Sequence, residues 1–267
     1  MRTGRMRTDC WIKPPSARSG FKDFFSKVDA DVSEYYQLNP NMREEHIESR
    51  LATTLEKTSF EIYRQRVNIE RRRKRLPSLA LSISHITHKE VSHGADIGLV
   101  ASLSVPGEIT LTKASLIQGK RLYARRGVFD QDCEYEELFK TPGRSNIAPQ
   151  WARMLKVTPA SAYLFYNPLD LWIGKSLKSV GTRVLSAQIV KGKAAAGKHH
   201  LSARDLYDEG STFSDWVIDE FICCNSGDSR EEVISVASGE NPNFGVRQTL
   251  QVSIESENIR PELFMTR

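Results

Sequence analysis

Three polar side chains of this sequence have types and spacing that could bind a metal ion and act on a phosphate. Asp96 stands near the start of one apolar run (95–105), and Gln118 and Lys120 stand near the end of the next (109–122). A carboxylate and an amide oxygen are hard ligands of the kind Mg²⁺ prefers, and they leave coordination sites for water and phosphate. A metal held there would polarise the phosphate and lower the pKa of a bound water. Lys120 could orient that water or stabilise negative charge developing at phosphorus.

The two runs predict an antiparallel hairpin whose register decides whether these side chains meet. Only Pro106-Gly107-Glu108 separates them, and a short loop containing Gly is typical of hairpins. With a three-residue loop, Val105 faces Ile109, and the same register sets Asp96 opposite Gln118. Lys120, two residues after Gln118, lies on the same face as Gln118, because side chains alternate along a strand. A two-residue turn would instead send the carboxylate to the opposite face.

A helix before the hairpin could add a second carboxylate. The segment from residue 42 to about 58 is predicted to be amphipathic and helical. Its apolar residues recur at four-residue spacing, at Ile47, Leu51 and Leu55. The helix also carries Glu44, Glu45 and Glu48. Glu44 and Glu48 share one side at i, i+4, while Glu45 lies on another flank, and periodicity alone does not choose between them.

The rest of the chain predicts a mixture of helices and strands within one domain. Residues 1–40 predict one or two short helices. Further helices are predicted at 59–75, 130–140, 148–156 and 213–224, and strands at 78–86, 161–168, 182–190 and 246–255. We divide the chain into an N-terminal extension (1–41), a core (42–168) and a C-terminal elaboration of the same domain (169–267), since no linker separates them.

The helix glutamates, GADIGLV and SLIQGKRLY together resemble the active-site pattern of the restriction-endonuclease-like, or PD-(D/E)XK, nuclease superfamily. They are most similar to members in which Gln replaces the acid of the ExK pair, giving QxK. The resemblance covers about residues 42–168. It implies an α/β fold with an αβββαβ core, a central mixed sheet flanked by helices, and cleavage of nucleic acid, usually DNA, with Mg²⁺ or Mn²⁺.

The resemblance also implies roles for individual residues. Asp96 corresponds to the metal-binding Asp, Gln118 to the residue in the Glu position and Lys120 to the catalytic Lys. For the helix carboxylate Glu45 is our first choice, followed by Glu48 and Glu44. Ala95 stands where the namesake motif has Pro.

Basic residues near these motifs could contact the phosphate backbone of DNA. They are Arg71, Arg72, Arg73, Lys74, Arg75, Arg121, Arg125 and Arg126. Each phosphate that a protein neutralises releases counterions, which favours binding. The run at 71–75 is equally well explained as a solvated helix end that the helix dipole favours. The net charge of +5 permits a polyanionic partner without requiring one.

Composition and motifs exclude several other classes. No apolar run approaches the ~18–20 residues needed to span a bilayer, and the basic N-terminus lacks the apolar stretch of a secretory signal. The four cysteines have no metal-binding spacing, which favours reduced thiols and a cytoplasmic location. We interpret His85, His88 and His93 as polar loop residues rather than zinc ligands.

The sequence therefore predicts a divalent-metal-dependent endonuclease acting on DNA. The resemblance implies a role in defence, restriction, repair or transposition, and the lack of a sequence-reading module favours a partner subunit that supplies targeting or regulation. Self-association is left open. The alternative is a catalytically inactive nucleic-acid-binding or assembly subunit that retains the fold, which Mn²⁺ titration would distinguish from an enzyme.

Overall fold

The computed structural model describes residues 10–88, 95–124, 127–135, 148–197, 200–241 and 244–257. Its helices are Pro15–Leu38 (α1), Glu44–Lys57 (α2), Glu61–Arg73 (α3), Gln150–Val157 (α4), Ala187–Ala195 (α5), Ala203–Glu209 (α6), Phe213–Asp215 (α7), which continues as a π-helical segment Trp216–Ile222, and Glu231–Ala237 (α8). Its strands are Leu79–Thr87 (β1), Ala95–Val105 (β2), Ile109–Arg121 (β3), Ser161–Tyr166 (β4), Asp170–Ile173 (β5), Ser176–Ser179 (β6), Arg183–Ser186 (β7), Ser211–Thr212 (β8) and Val246–Ser256 (β9). Within these ranges, no helix combines the length and apolarity needed to cross a membrane.

Seven strands form one mixed sheet in the order β1-β9-β2-β3-β4-β7-β8. The last strand of the sequence, β9, lies between β1 and β2, antiparallel to the first and parallel to the second. β3 is antiparallel to β2, and β4 is parallel to β3. β5 and β6 form a separate two-stranded hairpin.

Helices cover both faces of the sheet. Along β2, Ile97 and Leu99 pack into a core with α1, α2 and α3, whereas Val100 packs into a second core with α4, α5 and α8. A strand buried on both faces reads as a nearly continuous apolar run, which explains the sequence of 95–101. The predicted α/β class, with a central mixed sheet flanked by helices, is confirmed.

The β2–β3 hairpin has the register that a three-residue loop predicts. Val105 pairs with Ile109, and the constant sum of paired residue numbers holds along the whole ladder. Gly107, at the centre of the loop, has φ 77°, a conformation that glycine adopts without steric cost. The same register brings Asp96 next to Gln118 at the far end of the hairpin.

Most predicted elements agree with the structure to within two residues at each end. These are the helices predicted at 42–58, 59–75, 148–156 and 213–224, and the strands at 78–86, 95–105, 109–122, 161–168 and 246–255. The N-terminal region differs in forming one helix of 24 residues, α1.

Two predicted elements are wrong in part. Residues 130–135 of the helix predicted at 130–140 form a turn followed by short bridges, because the Asp130 carboxylate accepts the Asp132 N–H (2.9 Å) and so competes with helix formation. Residues 136–140 lie outside the described part of the chain. The strand predicted at 182–190 ends at Ser186, whose hydroxyl accepts the Ile189 N–H (3.3 Å) and so caps α5.

The prediction that all cysteines are reduced is also wrong. Cys10 and Cys223 form a disulfide across 213 residues of sequence, with their Cα atoms 4.7 Å apart. Cys133, which is buried, and Cys224, which is exposed, form no disulfide. Folding brings residues 10 and 223 together, and nothing in the spacing of the cysteines indicates that proximity.

The division into 1–41, 42–168 and 169–267 stays a prediction. Within it, α1 contributes Phe21, Phe24 and Phe25 to the same core as α2 and β2. The C-terminal segment contributes β9 to the middle of the sheet. Both outer segments therefore pack directly on the elements that carry the candidate site.

Candidate metal centre

Asp96 is held at the start of β2 by the end of β3. Its Oδ2 accepts hydrogen bonds from the Gly119 N–H (2.8 Å) and from the Gln118 side-chain amide. All three side chains predicted on the hairpin are buried, with 6% of Asp96, 1% of Gln118 and 8% of Lys120 exposed. Buried polar groups at the end of two apolar strands are costly to maintain unless they are paired, so the pairing fixes the orientation of the carboxylate.

Helix α2 adds two more carboxylates to Asp96. The buried faces of Ile47 and Leu51 hold the helix against the sheet. Glu44 and Glu48, one turn apart, therefore project toward the same point. Each of these two residues and Asp96 offers an oxygen, and the three oxygens all lie within 4.8 Å of one another. This acidic cluster, defined as Glu44, Glu48 and Asp96, could hold a metal ion.

The choice among the helix glutamates made from the sequence requires correction. Glu45, the first choice, is exposed and lies outside the acidic cluster. Glu48 and Glu44, the second and third choices, belong to the acidic cluster, and Glu48 is 1% exposed. The reason is the direction of the helix face: Glu48 follows directly after buried Ile47, whereas Glu45 lies on the solvent flank.

Gly119 makes room for the carboxylate of Glu48. A Cβ atom at position 119 would lie 2.3 Å from Glu48 Oε1 and 3.1 Å from the Tyr166 ring. Only a residue without a side chain therefore lets the helix carboxylate approach the backbone between Gln118 and Lys120. Gly119, the glycine of the QGK sequence, therefore has a steric role at the site. Its residue type suggests such a role, but only the structure shows which carboxylate it accommodates.

Two cationic side chains contact the acidic cluster. Lys120 Nζ lies 3.4 Å from Glu44 Oε1. Arg247, on β9, donates to Glu48 Oε2 (2.8 Å) and lies 3.2 Å from Asp96 Oδ1. The Arg247 side chain keeps 37% of its surface exposed, so its guanidinium closes the cluster on the solvent side.

Arg247 is the residue of the site that sequence reasoning missed. Ala95 pairs with Val246 and Ile97 with Gln248, which sets Arg247 beside Asp96. The only signal in the sequence was the strand predicted at 246–255. Parallel pairing between segments some 150 residues apart has no local signature, so the contact could not be predicted.

Burial and like charge raise the pKa of Glu48 well above its ordinary value. Removal from water is the largest cause, and the neighbouring carboxylates of Asp96 and Glu44 add to it, while Arg247 opposes it. Three carboxylates this close repel one another when ionised. A cation bound among them would remove that penalty, as expected of an acidic metal site.

The donor atoms suit a hard cation. Glu48 Oε1 and Gln118 Oε1 are buried and have no hydrogen-bond partner among the described residues. Buried oxygens without a partner are unusual in native proteins, and an ion is one of the few explanations for them. Carboxylate and amide oxygens, without nitrogen or sulfur ligands, are typical of sites for Mg²⁺, Mn²⁺ or Ca²⁺.

The basic run at 71–75 lies far from the acidic cluster. Arg71 is fully buried: it donates to the carbonyls of Pro77 (2.7 Å) and Lys13 (2.5 Å) and forms an ion pair with Glu108 at the β2–β3 turn. From that turn to Asp96 the hairpin extends nine residues, about 30 Å. Arg71 therefore does not fit the predicted role in phosphate binding, because its guanidinium is occupied inside the protein.

The other predicted basic residues are divided between two ends of the molecule. The four basic residues that follow Arg71 are exposed and lie near the turn of the β2–β3 hairpin; they are Arg72, Arg73, Lys74 and Arg75. Arg121 lies at the site end, where it donates to the Met42 carbonyl (2.5 Å) and stacks on Tyr123. The hydrogen bond from Arg121 to the Met42 carbonyl holds the segment just before α2 in place. Arg125 and Arg126 lie outside the described residues.

The histidines considered as zinc ligands have other partners. His85 Nδ1 lies 3.0 Å from Glu56 Oε2. His88 Nε2 lies 2.8 Å from the Thr249 hydroxyl. His93 is outside the described residues. The loop prediction is wrong for His85, which lies on β1, whereas His88 is the first residue after β1.

Replacing Arg247 with methionine should raise the affinity of the acidic cluster for Mn²⁺. Two carboxylate oxygens would lose a competing partner and a nearby positive charge would disappear. We expect the Mn²⁺ affinity to rise about tenfold. The corresponding free energy is a small fraction of the Coulomb repulsion between the guanidinium and a cation a few ångström away. Isothermal titration calorimetry measures it, with Arg64→Met as the control, because Arg64 pairs with Glu61 and Glu257 elsewhere. An affinity equal to or below that of the wild type would contradict this role for Arg247.

Comparisons of the chain with models of protein families, with curated proteins and with solved structures found no match. The geometry of the acidic cluster and the pattern of the sequence are therefore what a functional proposal has to rest on.

Proposed function

We propose that this chain is a divalent-metal-dependent nuclease that hydrolyses phosphodiester bonds in DNA, with a restriction-endonuclease-like core. The observation that carries the proposal is the convergence of Glu48, Asp96, Gln118 and Lys120 at one end of the β2–β3 hairpin. Phosphodiester hydrolysis can be catalysed by a metal ion in an acidic site together with an adjacent ammonium group, since both stabilise negative charge at the phosphate.

The order of elements also supports this core. From α2 to β4 the chain runs through helices, three strands, a helix and a strand, as the resemblance to QxK nucleases implies. One feature departs from a simple meander, since β9 separates β1 from β2. The departure adds Arg247 to the site without displacing Asp96 or Lys120.

Each residue of the site has a distinct task in this proposal. Asp96 and Glu48, with Glu44, hold Mg²⁺ or Mn²⁺, and Gln118 completes the site. When bound, such an ion polarises the scissile phosphate and lowers the pKa of a coordinated water. The Gly119 N–H and the Gln118 amide keep the Asp96 carboxylate in position.

Lys120 acts on the charge that develops during the reaction. Lys120 is 8% exposed as a residue, and its Nζ lies 3.4 Å from Glu44 Oε1. A positive charge in such surroundings interacts with a developing phosphorane more strongly than it would in water. Lys120 thereby stabilises the transition state or orients the attacking water.

The proposal is tested by incubating the purified full-length chain with supercoiled plasmid, linear duplex and RNA of matched sequence. We expect nicked or linear DNA with Mg²⁺ or Mn²⁺ and no product with EDTA. Cleavage of RNA alone would overturn the assignment of DNA. Failure to cut either nucleic acid while Mn²⁺ is bound and the fold is intact would favour the inactive binding or assembly subunit instead.

A further inference from the structure

One tyrosine beside the acidic cluster has a buried hydroxyl with no role in the mechanism so far. Tyr166, the last residue of β4, is 1% exposed. Its hydroxyl oxygen is enclosed and has no hydrogen-bond partner among the described residues. By contrast, the buried hydroxyls of Tyr36 and Tyr135 donate to the Leu122 carbonyl and to Asn167 Oδ1. A buried hydroxyl without a partner destabilises the fold, so the Tyr166 hydroxyl calls for an explanation.

The Tyr166 ring lies next to the Glu48 carboxylate. Both approach the β3 backbone at the same point, since a Cβ atom on Gly119 would collide with Glu48 Oε1 and lie 3.1 Å from Tyr166 Cε2. Cε2 neighbours the ring carbon that bears the hydroxyl. Glu48 Oε2 accepts a hydrogen bond from Arg247 (2.8 Å), whereas Glu48 Oε1 is buried and has no partner in the described part of the chain. An unused donor and an unused acceptor therefore lie close together.

The surroundings of Tyr166 keep its hydroxyl protonated. Burial is the largest cause that raises the pKa of Tyr166 well above its ordinary value of 10.0. Among the charged neighbours, Glu48 raises this pKa most, followed by Asp96 and Glu44, while Arg247 opposes them. The hydroxyl therefore remains a hydrogen-bond donor throughout the neutral pH range.

The backbone holds Tyr166 firmly at this end of the sheet. Its carbonyl accepts the Leu122 N–H (3.1 Å), which continues the pairing of β4 with β3. The next residue, Asn167, is buried and donates to the Gly181 carbonyl (2.9 Å). A hydroxyl on a fixed ring can select one orientation of its partner, as the supporting groups of a functional site do.

The partner of this hydroxyl has to be small. A base or a phosphate of a nucleic acid does not reach a side chain as deeply buried as Tyr166. Glu48 Oε1 itself accepts no hydrogen bond from it. A water molecule fits, because it can accept from the Tyr166 hydroxyl and donate to Glu48 Oε1. Buried waters typically make about two to four such bonds.

We propose that Tyr166 is a positioning residue of the metal site, whose hydroxyl donates to a water shared by Glu48 and the bound cation. The inference rests on the proposed metal-dependent function. It adds an uncharged donor on the face of β3 opposite Lys120, because side chains at 119 and 120 alternate. Hydrogen-bonding partners that surround the ligands of a metal orient them and strengthen binding of the ion.

The test replaces Tyr166 with phenylalanine and measures the Mn²⁺ affinity of the full-length chain by isothermal titration calorimetry. We expect binding to weaken about tenfold, the smaller of the losses known for groups that support a metal ligand. At a given Mn²⁺ concentration the melting temperature should therefore rise less than in the wild type. Without metal it should not fall, because phenylalanine fills the same space without a buried, unpartnered hydroxyl.

Tyr135→Phe is the matched control. Tyr135 is equally buried, but its hydroxyl donates to Asn167 and it lies outside the acidic cluster. This variant should lose stability without metal, since Asn167 loses a partner, and should bind Mn²⁺ like the wild type. An unchanged Mn²⁺ affinity in Tyr166→Phe would overturn the inference. A weaker affinity accompanied by the same loss of metal-free stability as in Tyr135→Phe would overturn it too, because Tyr166 would then only support the fold.

The wild type shows whether the inference or the proposed function has failed. If it binds Mn²⁺ and cuts DNA while Tyr166→Phe binds Mn²⁺ equally well, the role of Tyr166 is wrong and the nuclease proposal stands. If it binds Mn²⁺ without cutting any nucleic acid and Tyr166→Phe binds Mn²⁺ more weakly, the nuclease proposal fails and the role of Tyr166 at the metal stands. If it binds no Mn²⁺, both fail.

Discussion

Replacing Asp96 with asparagine should abolish DNA cleavage together with Mn²⁺ binding, whereas replacing Lys120 with methionine should abolish cleavage alone. Asp96 belongs to the acidic cluster, so its substitution removes a charge that holds the cation. Lys120 is an ammonium group next to the cluster, and its removal takes away stabilisation of the transition state. We expect a loss of about a thousandfold in rate for Lys120→Met, the upper range for removing one electrostatic contact to a transition state.

The two variants are well suited to comparison because neither should disturb the fold. The Gly119 N–H can still donate to an asparagine oxygen at position 96. Methionine is close to lysine in shape, and Lys156→Met on the exposed side of α4 controls for loss of a lysine charge. Rates from single-turnover cleavage and Mn²⁺ affinities from calorimetry are compared at equal melting temperature. Loss of Mn²⁺ binding in Lys120→Met, or its survival in Asp96→Asn, would contradict the assigned roles.

The hairpin half of the site could be predicted because its geometry is set locally. A three-residue loop fixes the β2–β3 register, and the register alone brings Asp96 to Gln118. The helix half was predicted less completely. Periodicity predicted α2 and its apolar residues, but only the structure shows that Glu48 lies on the buried face next to Gly119 while Glu45 lies on the solvent flank.

The contacts that sequence reasoning missed join segments distant in the chain. Arg247 reaches Asp96 through parallel pairing of β9 with β2, and Cys10 reaches Cys223 across nearly the whole sequence. Arg71 was misjudged for a related reason. Its neighbours in sequence are exposed, but its own side chain is drawn inward by Glu108 and two carbonyl groups. Local charge and periodicity contain no information about such partners.

The arrangement of the acidic cluster has a cost for folding. Glu48 is buried beside two other carboxylates, which raises its pKa. The folded chain therefore binds the Glu48 proton more tightly than the unfolded chain does. The contribution of this group to stability is accordingly greatest at low pH and decreases as the pH rises from the ordinary value of 4.5 toward the folded value. Buried carboxylates kept at such a cost are typical of functional sites.

Glu48→Gln and Glu45→Gln should differ in both cleavage and stability, although the two changes are chemically identical and three residues apart. Glu48→Gln removes a member of the acidic cluster. We expect cleavage to fall by at least about a hundredfold, because substitutions of residues that only support a metal ligand already reduce activity by up to about that factor. Glu45 is exposed on the flank of the same helix, and Glu45→Gln should cleave DNA like the wild type. Single-turnover cleavage with Mn²⁺ measures both.

Stability supplies the second readout, because a structural role for Glu48 predicts the opposite sign. Without metal, Glu48→Gln removes a carboxylate that the fold holds at a cost once it is ionised. Its melting temperature relative to the wild type should therefore be higher near pH ~8 than near pH ~5, whereas Glu45→Gln should show no such difference. A variant that cleaves poorly because it is less stable at both pH values would show that Glu48 supports the fold rather than the metal. A cleavage loss in Glu45→Gln as large as in Glu48→Gln would remove the geometric basis for choosing between the two residues.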